Sequence, residues 1–202
     1  MKRSFDGPYR AGPWPGLTPA GAGILLALAA FLAIGQLLVG PPRQPLPDLV
    51  VVGVTALLPL AIAERLVRMP GVACAVCGAY LLPASLASLL TNLEPPPLLL
   101  IPAFGFELAL WLELSQIANV WPWRKPKWLT NSPRFEPLSR NRAILGGAVF
   151  GVFLGLVEPP FRILLGANPA TWSGPPVWAA VIACGVVCAG LATILSAPGR
   201  AS

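Results

Sequence analysis

Glu107 and Glu113 are the side chains from which chemistry would first be expected, because both fall inside an apolar run, Leu98–Val120. An ionised carboxylate at the bilayer centre costs about 2.5–3.5 kcal/mol on insertion scales, so such acids face a bundle interior, a partner or a wet cavity. Read as a helix, the run puts Glu107 near mid-span and Glu113 about 9 Å further along. The two point in different directions, since six residues turn a helix by roughly 240° net. Glu113, Gln116 and Asn119 form a loosely aligned polar strip. The expectation is a proton-sensitive or ligand-binding site centred on Glu107, with Glu113 and Gln116 as further contacts. The competing reading is a carboxyl that hydrogen-bonds a neighbouring helix as a packing contact.

A second acidic feature occurs twice: residues 93–100 read LEPPPLLL and residues 157–164 read VEPPFRIL. Pro-Pro ends or bends a helix, which would set Glu94 and Glu158 at bends near the outer ends of their spans. Glu158 and Arg162 are four apart and suit pairing along one helix face. Glu94, Glu158 and Arg162 are therefore the polar candidates at that end. In a chain with 25 prolines the recurrence reads as coincidence rather than as an internal repeat. The segment Glu158-x-x-Phe161-Arg162 also resembles part of the glutamate-arginine motif of the intramembrane CAAX-processing proteases. That family places a second Glu where this chain has Val157, and histidines follow downstream where this chain has none, so no activity is carried over.

Four cysteines form two close pairs, Cys74/Cys77 and Cys184/Cys188. On helices these spacings put each pair on one face. If the pairs met, their thiolates would suit a soft ion such as Cu(I). Packing as small apolar side chains is the stronger expectation, and no metal is favoured. The chain has no histidine, which removes His-ligated haem, His-based zinc sites and Ser–His or Cys–His nucleophile pairs. No lysine lies in an apolar run, and the two aspartates, Asp6 and Asp48, lie outside the runs. The expected protein is not an enzyme and requires no cofactor.

The elements that must position these residues follow from composition. Of 202 residues, 55% are hydrophobic and 11% charged, with mean hydropathy +0.71. A soluble domain carries roughly 25% charged residues. Six runs, Leu17–Val39, Leu49–Val67, Gly71–Leu93, Leu98–Val120, Ala143–Leu165 and Val177–Leu195, approach the ~20 residues that cross a bilayer. The first is too long for a signal-peptide core of about 7–15 residues and reads as a retained helix. The predicted fold is an all-α polytopic bundle of six transmembrane helices, kinked at Pro59, Pro83 and Pro102. It divides into a Pro/Gly-rich tail (1–16), helices one to four (17–120), a basic Trp-rich loop (121–142), helices five and six (143–197) and a short tail (198–202).

Lys and Arg resist translocation. With both termini cytoplasmic, 12 of the 14 basic residues fall inside and only Arg43 and Arg162 outside. The loop at 121–142 begins WPWRKPKW, a Trp and cation cluster that suits anionic headgroups or a cytoplasmic protein partner. Nucleic acid is not an expected partner. Gly147, Gly151 and Gly155 give a smooth helix face for close packing, read as a route to a homo- or hetero-oligomer. The leading functional expectation is a small permease or solute- or ion-binding membrane component of a bacterial cytoplasmic membrane. The alternative is a non-catalytic subunit or assembly factor of a larger membrane complex, and a lipid-active enzyme ranks last.

Overall fold

The computed structural model describes residues 19–67, 71–91, 94–111 and 140–196. Among these residues there are six helices and no strand: α1 (Pro19–Val39), α2 (Asp48–Val67), α3 (Val72–Thr91), α4 (Leu100–Trp111), α5 (Arg140–Leu164) and α6 (Pro175–Ser196). All but α4 are long and apolar enough to cross a membrane. Lipid offers no hydrogen bonds, so a spanning backbone must satisfy itself, which an apolar helix does. The chain is an integral, multi-pass helical membrane protein.

Proline and glycine set the boundaries. Pro19 opens α1 and Pro175-Pro176 open α6, where a missing N–H leaves no intrahelical bond unmade. Gly40 ends α1 with φ +73° and gives its N–H to the Gln36 carbonyl at 2.9 Å. A side chain at that φ would be strained. Asp48 orders the α1–α2 connection, its Oδ2 accepting from the N–H groups of Arg43 (2.7 Å) and Gln44 (3.0 Å).

Consecutive helices run antiparallel, as their contacts show. Gln36 near the end of α1 meets Val52 and Thr55 of α2, Glu107 of α4 meets the start of α3, and Leu98 before α4 meets Glu158 late in α5. The Arg65 side chain of α2 donates to the Leu195 carbonyl of α6 at 3.0 Å, so these helices finish at the same end. The bundle thus has a basal end, where α2, α4 and α6 finish, and a distal end, where α1, α3 and α5 finish. α2 and α5 are the central helices, with 44% of each apolar stretch buried against 17% for α1. Phe106 of α4 meets Phe150 of α5 edge to face at 6.3 Å in the core between them. Trp172, buried in the distal connection, packs with Leu49 of α2 and with Ala180 and Cys184 of α6.

Several expectations change on this frame. Pro159-Pro160 do not end α5, which continues to Leu164. Their missing N–H groups release the carbonyls of Gly155 and Leu156, but the turn is pinned by Glu158, which reaches Arg162 along the helix and Leu98 across it. Pro102 does not kink a helix interior. α4 begins at Leu100, so this proline occupies the first turn, where no N–H bond is lost. Pro59 and Pro83 do lie inside α2 and α3.

The glycine face of α5 is filled from within the chain. A methyl group on Gly147 or Gly151 would collide with the carbonyl oxygens of Cys188 and Cys184, and one on Gly155 would stand 2.8 Å from the Val181 Cα. This face seats α6, so an oligomer would have to use another surface. Of the expected fourth span, Leu98–Val120, the part after Trp111 lies outside the described residues, as does most of the 121–142 loop.

Candidate functional site

Two polar constellations are built into the helices, one at each end of the bundle. The basal one is centred on Glu107, which is 7% exposed. Its Oε1 accepts from the N–H groups of Ala73 (2.5 Å) and Cys74 (3.2 Å), and its Oε2 accepts from Gly71 N–H (3.1 Å). The first turn of any helix leaves such donors without intrahelical partners, and a carboxylate there also suits the positive end of the helix dipole. Glu107 is therefore the cap of α3, supplied by a different helix. Gly71 makes this possible: its φ of +90° turns the chain out of α2 and aims its N–H at Glu107.

The cap corrects the expected depth of Glu107. It sits level with the α2–α3 turn, at the basal edge of the bundle, not at mid-span. The Cys74 side chain also lies within hydrogen-bonding reach of this carboxyl, and Glu64 is within electrostatic reach of the thiol. Glu64, 1% exposed near the end of α2, escapes the sequence reading because its neighbour Arg65 makes that stretch look like a solvated helix end. Glu113 and Gln116 lie outside the described residues.

The distal constellation joins the two Glu-Pro-Pro units. Arg162 Nε donates to Glu158 Oε1 at 2.7 Å, and Leu98 N–H donates to Glu158 Oε2 at 3.0 Å. Arg162 Nη2 reaches the Pro95 carbonyl at 3.4 Å, and Nη1 stands 3.9 Å from Glu94 Oε2. Glu158 and Arg162 side chains are 0% and 5% exposed, whereas that of Glu94 is 65% exposed. The i,i+4 pairing expected of Glu158 and Arg162 is present, and Glu94 joins them through the antiparallel packing of α4 on α5. Chemically the cluster is a fastening: one guanidinium ties the 94–99 linker to α5. Breaking a buried ion pair from one side costs about 3–5 kcal/mol.

The remaining candidates stand apart. Cys74 and Cys77 lie on α3, which packs on α1, α2 and α4, while Cys184 and Cys188 lie on α6 against α5 and α2. All four thiols are free, and among the described residues no group of three or more His, Cys, Asp or Glu side chains converges as a metal site. Cys188 lies beside Gly53 of α2, and Cys184 beside Gly151 of α5, as small packing residues do. A third polar contact, also missed in the sequence, links α1 to α2: buried Gln36 donates to Thr55 Oγ1 at 2.9 Å. The signal available for it was Gln36 and Thr55, each set among apolar neighbours in adjoining apolar runs. No family model matches the chain, and comparisons with curated proteins and with solved structures likewise give no match.

Proposed function

We propose that the chain is a non-catalytic structural or assembly component of a larger membrane complex. The observation that carries this reading is the engagement of its membrane acids: Glu107 already accepts three backbone hydrogen bonds, and Glu158 is closed by Arg162 and Leu98. Groups so occupied hold helices together and are not open to a passing solute. The topology that goes with this reading has six crossings, the fourth made by α4 and reaching the basal edge near Glu107, with both termini cytoplasmic in a bacterial inner membrane. The basic loop at 121–142 then meets anionic lipid or a cytoplasmic partner. Mild detergent extraction followed by native separation should show the chain migrating with other membrane polypeptides in fixed ratio. Migration as a lone chain or homo-oligomer would count against the proposal. Reporter fusions at the two termini test the orientation.

A second reading, a small permease with a proton- or cation-responsive acid, is favoured by one feature. Glu64 near the end of α2 and Glu107 of α4 at the start of α3 are both buried, so two acids from separate helices lie toward one end of the bundle. Under that reading Glu107→Gln abolishes uptake, or its pH dependence, at unchanged expression. Unaltered uptake would remove Glu107 from any transport role.

A further inference from the structure

Glu107 gives α3 and α4 a common starting level, because its carboxylate takes the Ala73 and Cys74 N–H groups in the first turn of α3. From that level the two helices rise by different amounts. Back along α4 from Glu107 to Leu98, whose N–H meets Glu158, the rise is about 14 Å. The Glu94 carboxylate stands 3.9 Å from the Arg162 guanidinium, and Arg162 follows Glu158 by one turn of α5, so it adds at most about 6 Å. From Ala73 to Thr91, by contrast, α3 rises about 27 Å. It outreaches the Glu94 carboxylate by about 7 Å.

Bending of α3 does not remove this step. Up to Tyr80 the helix is held in the bundle, with Val72, Ala73, Val76, Cys77 and Tyr80 buried. Tyr80 is within electrostatic reach of Glu158 and Arg162, as side-by-side rise of α3 and α4 requires. A kink of about 30° at Pro83 would shorten the remaining rise by less than about 2 Å.

The two ends of the step ask for different solvents. Beyond Tyr80 no residue of α3 is buried, and Leu82, Leu86, Leu89 and Leu90 are exposed, a surface that belongs in hydrocarbon. The Glu94 side chain is 65% exposed, and an exposed carboxylate is expelled from hydrocarbon. Both demands are met when the distal boundary of the hydrocarbon lies lower beside α4 than beside α3. Measured from the basal edge at Glu107, the α4 flank then offers about 20 Å of apolar height against the ~30 Å core of a typical bilayer. Its lipid-facing side chains there are Leu100, Ile101 and Phe104. A bilayer meets a short apolar flank by thinning, and short acyl chains do so with the least distortion.

We propose that the distal leaflet is drawn down over the 94–99 linker, so that the chain holds a thinned patch of bilayer against α4 and takes short acyl chains there in preference to long ones. The inference rests on α4 crossing the membrane and is independent of the subunit reading.

The test is unfolding of the full chain in vesicles of dimyristoleoyl-, dioleoyl- and dierucoylphosphatidylcholine, which differ in chain length alone. The midpoint should be highest in the dimyristoleoyl lipid and fall with each longer chain. Glu94→Leu, at an exposed position and outside the Glu158–Arg162 pair, adds apolar height on the α4 side and should move the optimum to the dioleoyl lipid. Arg43→Leu, at an exposed position in the distal α1–α2 connection, should leave the optimum where it is. A wild-type optimum in the dioleoyl or dierucoyl lipid, no shift in Glu94→Leu, or an equal shift in Arg43→Leu overturns the proposal. Epitopes inserted beside Glu94 and after Ser202 in the full chain check the crossing separately. Exposure on opposite faces of the membrane upholds it, whereas exposure on one face removes the crossing and the thinned patch together.

Discussion

Arg162 Nε and Glu158 Oε1 are 2.7 Å apart, and the pair brackets Pro159 and Pro160, whose missing N–H groups leave the carbonyls of Gly155 and Leu156 in the preceding turn without helical partners. Both charged side chains are buried, and neither has another full charge of opposite sign within hydrogen-bond distance.

Removing one member of this pair should therefore be far worse than removing both. Arg162→Met leaves a buried carboxylate and is expected to lower stability by about 3–5 kcal/mol. Adding Glu158→Leu should recover most of that loss, because two apolar side chains of similar volume need no partners. Thermal or denaturant unfolding of the four proteins of this cycle in one detergent measures the coupling. A double variant no more stable than Arg162→Met would show that the pair is not the fastening described.

Glu107→Gln keeps one oxygen but turns an amide N–H₂ toward donors of the α3 first turn. It should cost about 1–3 kcal/mol, the loss expected when buried donors are left unmet. Glu107→Ala should cost more. Hydrogen exchange localised to residues 71–74 should rise in both, with α1 unaffected. Exchange unchanged at those amides would remove the cap.

Gly151→Ala drives a methyl group into the Cys184 carbonyl and should destabilise by about 1–3 kcal/mol through overpacking. Gly190, on the outward side of α6, and Gly23 on α1 have nothing within 4 Å of an added methyl. Gly190→Ala and Gly23→Ala should be neutral or slightly stabilising. Melting temperatures of the three variants side by side separate packing from helix propensity.

The thiols should differ in reactivity. Cys77, Cys184 and Cys188 are buried, whereas Cys74 is partly exposed beside Glu107. A small maleimide applied to the folded protein should label Cys74 first and the other three only on unfolding, as counted by mass.

The spans were legible because lipid imposes a length: the apolar runs anticipate α1, α2, α3, α5 and α6 to within three residues at each end. The Glu158–Arg162 pair was legible for a similarly local reason, a spacing of four on a helix. What joins distant segments was not. Glu94 reaches Arg162 through the packing of α4 on α5, and the donors that Glu107 caps lie 33 to 36 positions earlier. No periodicity encodes such distances. Pro102 misled because a proline's effect depends on where its helix begins, whereas the run Ala143–Leu165 passed through Pro159-Pro160 as α5 does.

The cap on α3 also imposes an order on biogenesis. Gly71, Ala73 and Cys74 leave the ribosome well before Glu107, so the first turn of α3 enters the translocation machinery with its amides unanswered. Water or the insertion apparatus must serve as interim acceptor until α4 is synthesised. Helices α3 and α4 are then a single late-maturing unit, and a nascent chain truncated just before Glu107 should be held at the insertion site while one ending beyond α4 is released.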